Sequence, residues 1–161
     1  KSSSRGLSTI NPVGKEQIMG YCVEYNIEAT FEPESEPEML KAINALHEPE
    51  TLKANARGGS WSGGECKQVW YAFTDNPPPG GFTSIEQAMD AWRFEVDQWG
   101  GVKGFSFTGE KVGQEEILFE ALAAFLDGEI FARGEDGAEW GFRFSEGRMI
   151  ELKCVKNWEE A

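Results

Sequence analysis

Apolar and polar residues alternate along the segment from Tyr21 to Phe31. The odd positions carry Tyr, Val, Ile, Ala and Phe, and the even positions carry Cys, Glu, Asn and Thr. Successive side chains of a strand point to opposite faces, so this alternation predicts a half-buried strand with one polar face. A strand with one solvated face is typical of an antiparallel sheet.

Three later segments carry apolar residues at helical spacing and are predicted as helices. They are Glu36 to His47, Ser84 to Trp99, and Glu115 to Leu126. The first is expected to bury Met39, Leu40, Ile43 and Leu46, and the second to place Trp92 and Trp99 in the core. Gly100-Gly101 and Gly128 follow the ends of the second and third helices, as C-terminal caps commonly do.

Capping boxes support the starts of the first two helices. Ser35 is followed three residues later by Glu38, and Thr83 or Ser84 precedes Glu86 and Gln87. The only histidine, His47, lies near the C-terminus of the first helix, where a cation is favoured. We expect it to cap that helix or to be exposed, not to act as a catalytic base.

The remaining apolar segments predict strands. They cover KQVWYAFT (67–74), VKGFSF (102–107), residues 130–133, and the segments starting at Trp140 and Ile150. GEDG and SEG supply the turns between the last three strands. The glycine-rich segment 48–65 is predicted to be the longest loop. The resulting order, β-α-β-α-β-α-β-β-β, predicts an α+β fold in which about three helices pack on one face of a mostly antiparallel sheet.

Length and composition set further bounds. The chain has 161 residues, 40% of them hydrophobic, and a formal net charge of -13. These values suit one globular domain over residues 19–161, preceded by a flexible leader or extension at residues 1–18. The acidic balance argues against direct binding to a nucleic-acid backbone and favours a partner with a basic surface. No apolar run is long enough to span a membrane, so a cytoplasmic location is expected.

Few residues have the pattern of a reactive centre. Cys22, Cys66 and Cys154 are widely separated, and the single histidine cannot complete a closed zinc site. Phosphate-binding and nucleophile-elbow motifs are missing from the sequence. We therefore assign no catalytic residue, no metal ligand and no cofactor.

Seven residues are candidates for partner binding. Trp61 lies on the glycine-rich segment with Arg57 just upstream, and Trp and Arg often carry the energy of an interface. The others are Glu110, Lys111, Glu135, Asp136 and Arg143. Glu110-Lys111 follow a strand and Glu135-Asp136 occupy a turn, so the two pairs are expected at one end of the sheet. The same residue types are also expected in turns on geometry alone, without any function.

The segments FTGEKVG, ILFEALAAFL and GEIFARGEDGAEWGFRFSEG resemble a family of small uncharacterised proteins encoded by bacteriophages and other mobile elements. Its members combine a GEKxG segment, a helix and a GEDGxxW hairpin, and the similarity covers roughly residues 82–153. The pair Trp92-Arg93 also fits this pattern. The resemblance implies a phage or prophage setting and a small α+β domain, and it implies no known activity.

Two functions follow as hypotheses. The first is a non-enzymatic acidic protein that binds and inhibits a host protein, as a counter-defence factor or a mimic of nucleic-acid phosphates. The second is a small carboxylate-dependent enzyme, or a ligand-binding or metal-binding domain, with its site at the sheet end near Glu110 and Asp136. A deep pocket around carboxylates with displaced pKa values would favour the second.

Overall fold

The computed structural model describes residues 21–154, so the predicted leader at 1–18 lies outside the described residues. Nine strands and four α-helices follow one another along this part of the chain. In order they are β1 (Val23–Ile27), β2 (Thr30–Phe31), α1 (Glu36–Leu46), α2 (Pro49–Asn55), β3 (Gly58–Ser62), β4 (Glu65–Trp70), α3 (Ile85–Ala91), β5 (Phe94–Trp99), β6 (Val102–Phe107), α4 (Glu115–Ala121), β7 (Gly128–Gly134), β8 (Glu139–Ser145) and β9 (Arg148–Lys153).

The strands form three antiparallel groups. A four-stranded sheet has the order β1-β7-β8-β9, a three-stranded sheet has the order β2-β6-β5, and β3 and β4 form a two-stranded ribbon. Within residues 21–154 every named strand pairing is antiparallel. The predicted α+β class with a mostly antiparallel sheet is therefore confirmed, although the described helices number four instead of three.

The segment with the clearest alternation links the two larger sheets. β1 pairs with β7, with Tyr25 opposite Ala132, and β2 pairs with β6, with Thr30 opposite Gly104. Two residues separate β1 from β2, and the main-chain N–H of the first, Glu28, still donates to β7. The predicted single strand is thus two strands that serve different sheets.

The core lies between the sheets and the helices. α1 packs against both α3 and α4, and α3 packs against β5. Trp92 and Phe94 are fully buried after α3, and Phe119 of α4 meets Phe142 and Phe144 of β8 at ring-centroid distances of 5.5 and 6.4 Å. Aromatic rings therefore fill the contact between helices and sheets, where their large apolar area stabilises the fold.

The second helix is shorter than its apolar spacing predicted. α3 ends at Ala91, and Phe94–Trp99 form β5, which pairs with β6 through the turn at Gly100-Gly101. Trp92 is buried as predicted, but the prediction for Trp99 was wrong because its side chain is 42% exposed. The indole of Trp99 lies over Gly104 on the neighbouring strand, where a Cβ atom would stand 2.8 Å from the ring. The spacing of apolar residues in this segment is compatible with a helix, but the chain forms a hairpin here.

The prediction of a long loop at residues 48–65 was also wrong. This segment forms α2 and β3, and β3 pairs with β4 to make the ribbon. Pro49 stands in the first turn of α2, where a proline is well tolerated. Glycines at 58 and 59 belong to a strand, and Gly58 lies so close to Trp70 that a Cβ atom would stand 2.6 Å from the indole.

The predicted caps had mixed outcomes. Ser84 accepts a hydrogen bond from the main-chain N–H of Gln87, and Gln87 accepts one from the N–H of Thr83, so this capping box is confirmed. The box at Ser35 was wrong, because the Ser35 side chain makes no capping hydrogen bond. His47 occupies the C-cap position of α1, which is one of its two predicted placements, and its side chain is buried instead of exposed.

Candidate functional site

The segment around Glu110 and Lys111 is joined to the start of β1. The main-chain N–H of Val23 donates to the Glu110 carbonyl at 2.8 Å, and the N–H of Val112 donates to the Tyr21 carbonyl at 2.8 Å. Cys22 and Lys111 form an antiparallel bridge between these two bonds. The main chain of Glu110 and Val112 thus holds the start of β1, and the side chains of Glu110 and Lys111 are exposed.

The GEDG turn holds the same segment from the other side. The Glu135 carboxylate accepts the main-chain N–H of Cys22 at 2.7 Å, and the N–H of Glu135 donates to the Cys22 carbonyl at 3.0 Å. The Tyr21 hydroxyl donates to the Asp136 carboxylate, which also accepts the N–H of Ala138 at 3.0 Å. The predicted hairpin turn is confirmed, and its two acidic side chains anchor residues that precede β1.

Burial and the hydrogen bond to Asp136 raise the pKa of the Tyr21 hydroxyl to about 12. The same hydrogen bond lowers the pKa of the Asp136 carboxyl, because it favours the ionised form. Asp136 is therefore a carboxylate at neutral pH and a poor proton donor. This assignment removes one of the two groups that the carboxylate-enzyme hypothesis needs.

Three neighbouring cavities share Gly109, the residue that precedes Glu110. Their volumes are about 950, 800 and 440 Å³. Glu110 lines the second and third, while Glu24, Cys22 and Glu135 line the third. Because all three cavities have Gly109 as a lining residue, we name them together the Gly109 groove. Gly109 is required there, because a Cβ atom would stand 2.8 Å from the Phe107 ring and 3.0 Å from Arg93 Nη1.

The largest of these three cavities runs along the outer face of the four-stranded sheet. Phe131, Gly141 and Leu152 stand side by side on β7, β8 and β9, and they all line this cavity. Phe131 is 39% exposed and its ring lies over Gly141, while Ile150, two residues before Leu152, is 41% exposed. These side chains form an apolar row on a surface that no described element covers.

Ion pairs border this row on both sides. Arg133 Nη2 lies 3.1 Å from the Glu139 carboxylate, and Arg143 Nε lies 2.9 Å from the Glu129 carboxylate. Each pair joins residues directly opposite in β7 and β8. An apolar centre with a charged border is the arrangement found in protein interfaces.

The second cavity lies at the other end of the groove and contains two strained residues. Phe73 and Arg93 have φ angles of 61° and 71°, a conformation that costs non-glycine residues roughly 1–3 kcal/mol. The Arg93 guanidinium lies 5.6 Å from the centroid of the Phe73 ring and 5.2 Å from that of Phe107. Both strained residues line the cavity together with Trp70 and Asp75. Strained positions of this kind are concentrated at functional sites, so we add them to the candidates.

Arg93 is held by a buried network. Its guanidinium pairs with the Glu115 carboxylate, which is fully buried, and its Nη1 donates to the Lys111 carbonyl at 2.6 Å. Glu115 also accepts the Tyr25 hydroxyl at 3.1 Å and the N–H of Gly113 at 2.9 Å. Arg93 Nε is buried, and no residue between positions 21 and 154 gives it a hydrogen-bond partner. Burial lowers the pKa of Arg93, and the ion pair with Glu115 compensates for the loss of water around both charges.

Three predicted residues do not join Glu110 and Glu135. Arg143 lies at the far end of the β7–β8 hairpin, because the register places it opposite Glu129, away from the GEDG turn. Arg57 is exposed before β3, and its main-chain N–H donates to the Gln114 side chain at 2.9 Å. The backbone of Trp61 pairs with Cys66 in the ribbon, and its side chain lies outside what the structure describes.

Across the described part of the chain, no three His, Cys, Asp or Glu side chains lie close enough together to hold a metal ion. None of the helices in residues 21–154 has the length and apolar character that a membrane crossing requires.

The sequence did not predict Phe73, Arg93 and Glu115 as site residues. Nothing in the sequence indicates that a given phenylalanine or arginine will have a positive φ angle.

Comparisons with protein-family models, with curated proteins and with solved structures found no match to this chain. The resemblance to a phage-encoded family therefore stays a prediction.

Proposed function

We propose that this chain is a non-enzymatic acidic interaction protein that binds a protein partner in the Gly109 groove. The observation that carries the proposal is the uncovered apolar row of Phe131, Leu152 and Ile150. A second exposed aromatic residue, Phe73, lines the cavity that shares Gly109 with the cavity of this row. Large exposed apolar side chains in a depression with a charged border are favourable sites for a protein partner.

The charge of the groove suits a partner with a basic surface. Glu24, Glu110 and Glu135 line its central cavity, and Arg133 is the one basic side chain among the residues lining that cavity. Arg133 is already paired with Glu139. The net charge of -13 adds a long-range attraction for cationic surfaces, which raises the association rate at low salt.

The phage or prophage setting implied by the sequence resemblance makes a host protein the preferred partner. A host defence enzyme that binds nucleic acid has a basic groove, and carboxylates of an acidic protein can occupy it in place of phosphates. In this proposal the protein acts as a counter-defence inhibitor in the bacterial cytoplasm.

The carboxylate-enzyme hypothesis is less well supported. The Glu135 carboxylate is occupied by the main-chain N–H of Cys22, and the Asp136 carboxylate by Tyr21 and Ala138. A general acid at neutral pH needs a raised pKa, and that of Asp136 is lowered. Exposed carboxylates remain in the groove at Glu24, Asp75 and Glu110, and these are the groups that this alternative would have to use.

Site-directed photo-crosslinking tests the proposal. A photoreactive phenylalanine analogue is placed at Ile150 beside the apolar row, and as a control at Lys41, an exposed position on α1. In bacterial lysate we expect a defined adduct from position 150 and none from position 41. The captured protein is then purified, and Phe131→Ser should weaken its binding at least tenfold, while Lys41→Ser should not.

Two results would count against the proposal. One is equal crosslinking from both positions, or unchanged binding by the Phe131→Ser variant. The other is thermal stabilisation by a nucleotide or divalent metal that Glu110→Gln abolishes, which would favour the enzyme or ligand-binding alternative.

A further inference from the structure

We propose that the Phe73 end of the Gly109 groove receives an arginine side chain of the partner, between the aromatic rings of Trp70 and Phe73 and the carboxylates of Asp75 and Glu110. This inference rests on the proposed function and deepens it, because it names the chemical group that the acidic protein recognises. The four residues line one cavity of about 800 Å³.

Phe73 combines an exposed ring with a strained backbone. Its side chain is 50% exposed, and its backbone has a φ angle of 61°, a region that glycine and asparagine occupy far more readily. Phenylalanine at this position is therefore unfavourable for folding in two ways, because its backbone is strained and its apolar ring is exposed to water. The ring contacts the Arg93 guanidinium, but half of its surface stays exposed, so we infer that the exposed part is kept for contact with a partner.

The groups that line this cavity are chemically complementary to a guanidinium group. A guanidinium group is planar, stacks on aromatic faces and forms paired hydrogen bonds with carboxylates. The cavity offers an indole at Trp70, a phenyl ring at Phe73 and exposed carboxylates at Asp75 and Glu110. The half-buried Arg93 illustrates the fit, since its guanidinium already lies against Phe73 and Phe107 and pairs with Glu115.

The two basic residues that line this cavity, Arg93 and Lys111, affect an incoming cation differently. Arg93 is neutralised by Glu115, so its charge does not oppose an incoming cation. Lys111 is exposed and lines the same cavity, and it does oppose one. The single positive charge of its ammonium group is outnumbered by the two carboxylates of Asp75 and Glu110, so we expect it to weaken the binding of arginine without preventing it. Replacing Lys111 by an acidic residue should therefore tighten the binding of arginine.

The test uses three synthetic eight-residue peptides with two arginines, two lysines or two citrullines at the same positions. They are titrated at low salt into the whole protein labelled with ¹⁵N, and the indole N–H signal of Trp70 is followed by NMR. We expect the arginine peptide to shift this signal and to bind at least fivefold more tightly than the lysine peptide. Citrulline has the same shape without the charge, so its peptide should not bind.

Variants assign the effect to the cavity. Phe73→Asn should weaken the arginine peptide at least tenfold while leaving the melting temperature unchanged or higher, because asparagine tolerates a positive φ angle. Asp75→Asn should also weaken the peptide, and Lys111→Glu should tighten it. Lys41→Ser should leave peptide binding unchanged, because Lys41 is an exposed residue of α1 that lines none of the three cavities.

The inference is overturned if citrulline or lysine peptides bind as well as arginine, or if Phe73→Asn and Asp75→Asn both bind the arginine peptide as the unmodified protein does. Its failure is separable from failure of the proposed function. If the captured partner still needs Phe131 but is unaffected by Phe73→Asn and Asp75→Asn, only the arginine site is wrong.

Discussion

The indole N–H of Trp92 donates a hydrogen bond to Nε2 of His47 across 3.1 Å in the protein core. Nε2 is therefore an acceptor, and the proton of the neutral imidazole lies on Nδ1, 3.2 Å from the Asn76 side-chain oxygen. Tyr71 and Phe82 meet the imidazole edge-on. Burial lowers the pKa of His47, since a protonated ring would lose both its hydration and the bond from Trp92.

Protonation of His47 should destabilise the fold. Its pKa in the folded state lies below the value of 6.5 of the unfolded chain, so the unfolded state binds the proton more tightly. The stability should thus be complete above about pH 6.5 and fall as the pH drops towards the folded pKa, by at most about 1.4 kcal/mol per pH unit. Urea unfolding between pH 8 and pH 5 measures this. His47→Gln should be less stable at pH 8 but show a flatter profile, and an equally steep profile would contradict the assignment.

The three tyrosines of the chain should resist ionisation. Burial is the leading cause that raises the pKa of Tyr21, to about 12, and also raises those of Tyr25 and Tyr71. At pH 10 the folded protein should therefore show little tyrosinate absorbance, whereas the chain in denaturant should be about half ionised. Because the folded pKa values exceed the unfolded ones, stability should decline as the pH rises above about 10. Half ionisation in the folded state at pH 10 would refute this.

The buried pair of Arg93 and Glu115 should be strongly coupled. Glu115→Gln leaves the Arg93 guanidinium without its counter-charge in a mostly buried position and should cost roughly 3–5 kcal/mol of unfolding free energy. Arg93→Gln should cost a similar amount. The double variant should lose less than the sum of the two, and the difference in a double-mutant cycle measures the coupling. Additive losses would show that the two side chains act separately.

Gly134 should tolerate no side chain. The Tyr21 ring passes over it, and a Cβ atom would collide with the phenol. Gly134→Ala should therefore cost about 1–3 kcal/mol and displace Tyr21 from Asp136. Gly101→Ala is the matched control, because a Cβ atom there meets nothing within 4 Å. Thermal unfolding compares the two, and an equal loss in both variants would rule out the contact with Tyr21 as the cause.

Local pattern was sufficient for much of the fold. The alternation of Tyr21 to Phe31, the capping box at Ser84 and the GEDG turn each depend on neighbouring residues, so all three are readable before folding. The strand at Phe94–Trp99 was not readable in the same way. Its apolar spacing fits either a helix or a hairpin, and its pairing with Val102–Phe107 decides between them.

By itself the sequence determined the α+β class, the acidic charge and the turn chemistry that places Glu110 and Glu135 at one end of a sheet. Only the tertiary structure decided that these residues grip the start of β1, that His47 is buried, and that Phe73 and Arg93 meet across a groove. The physical reason is range. Turns and periodicity act within a few residues, whereas burial and backbone strain depend on segments that are distant in the chain, as in the contact between Trp92 and His47.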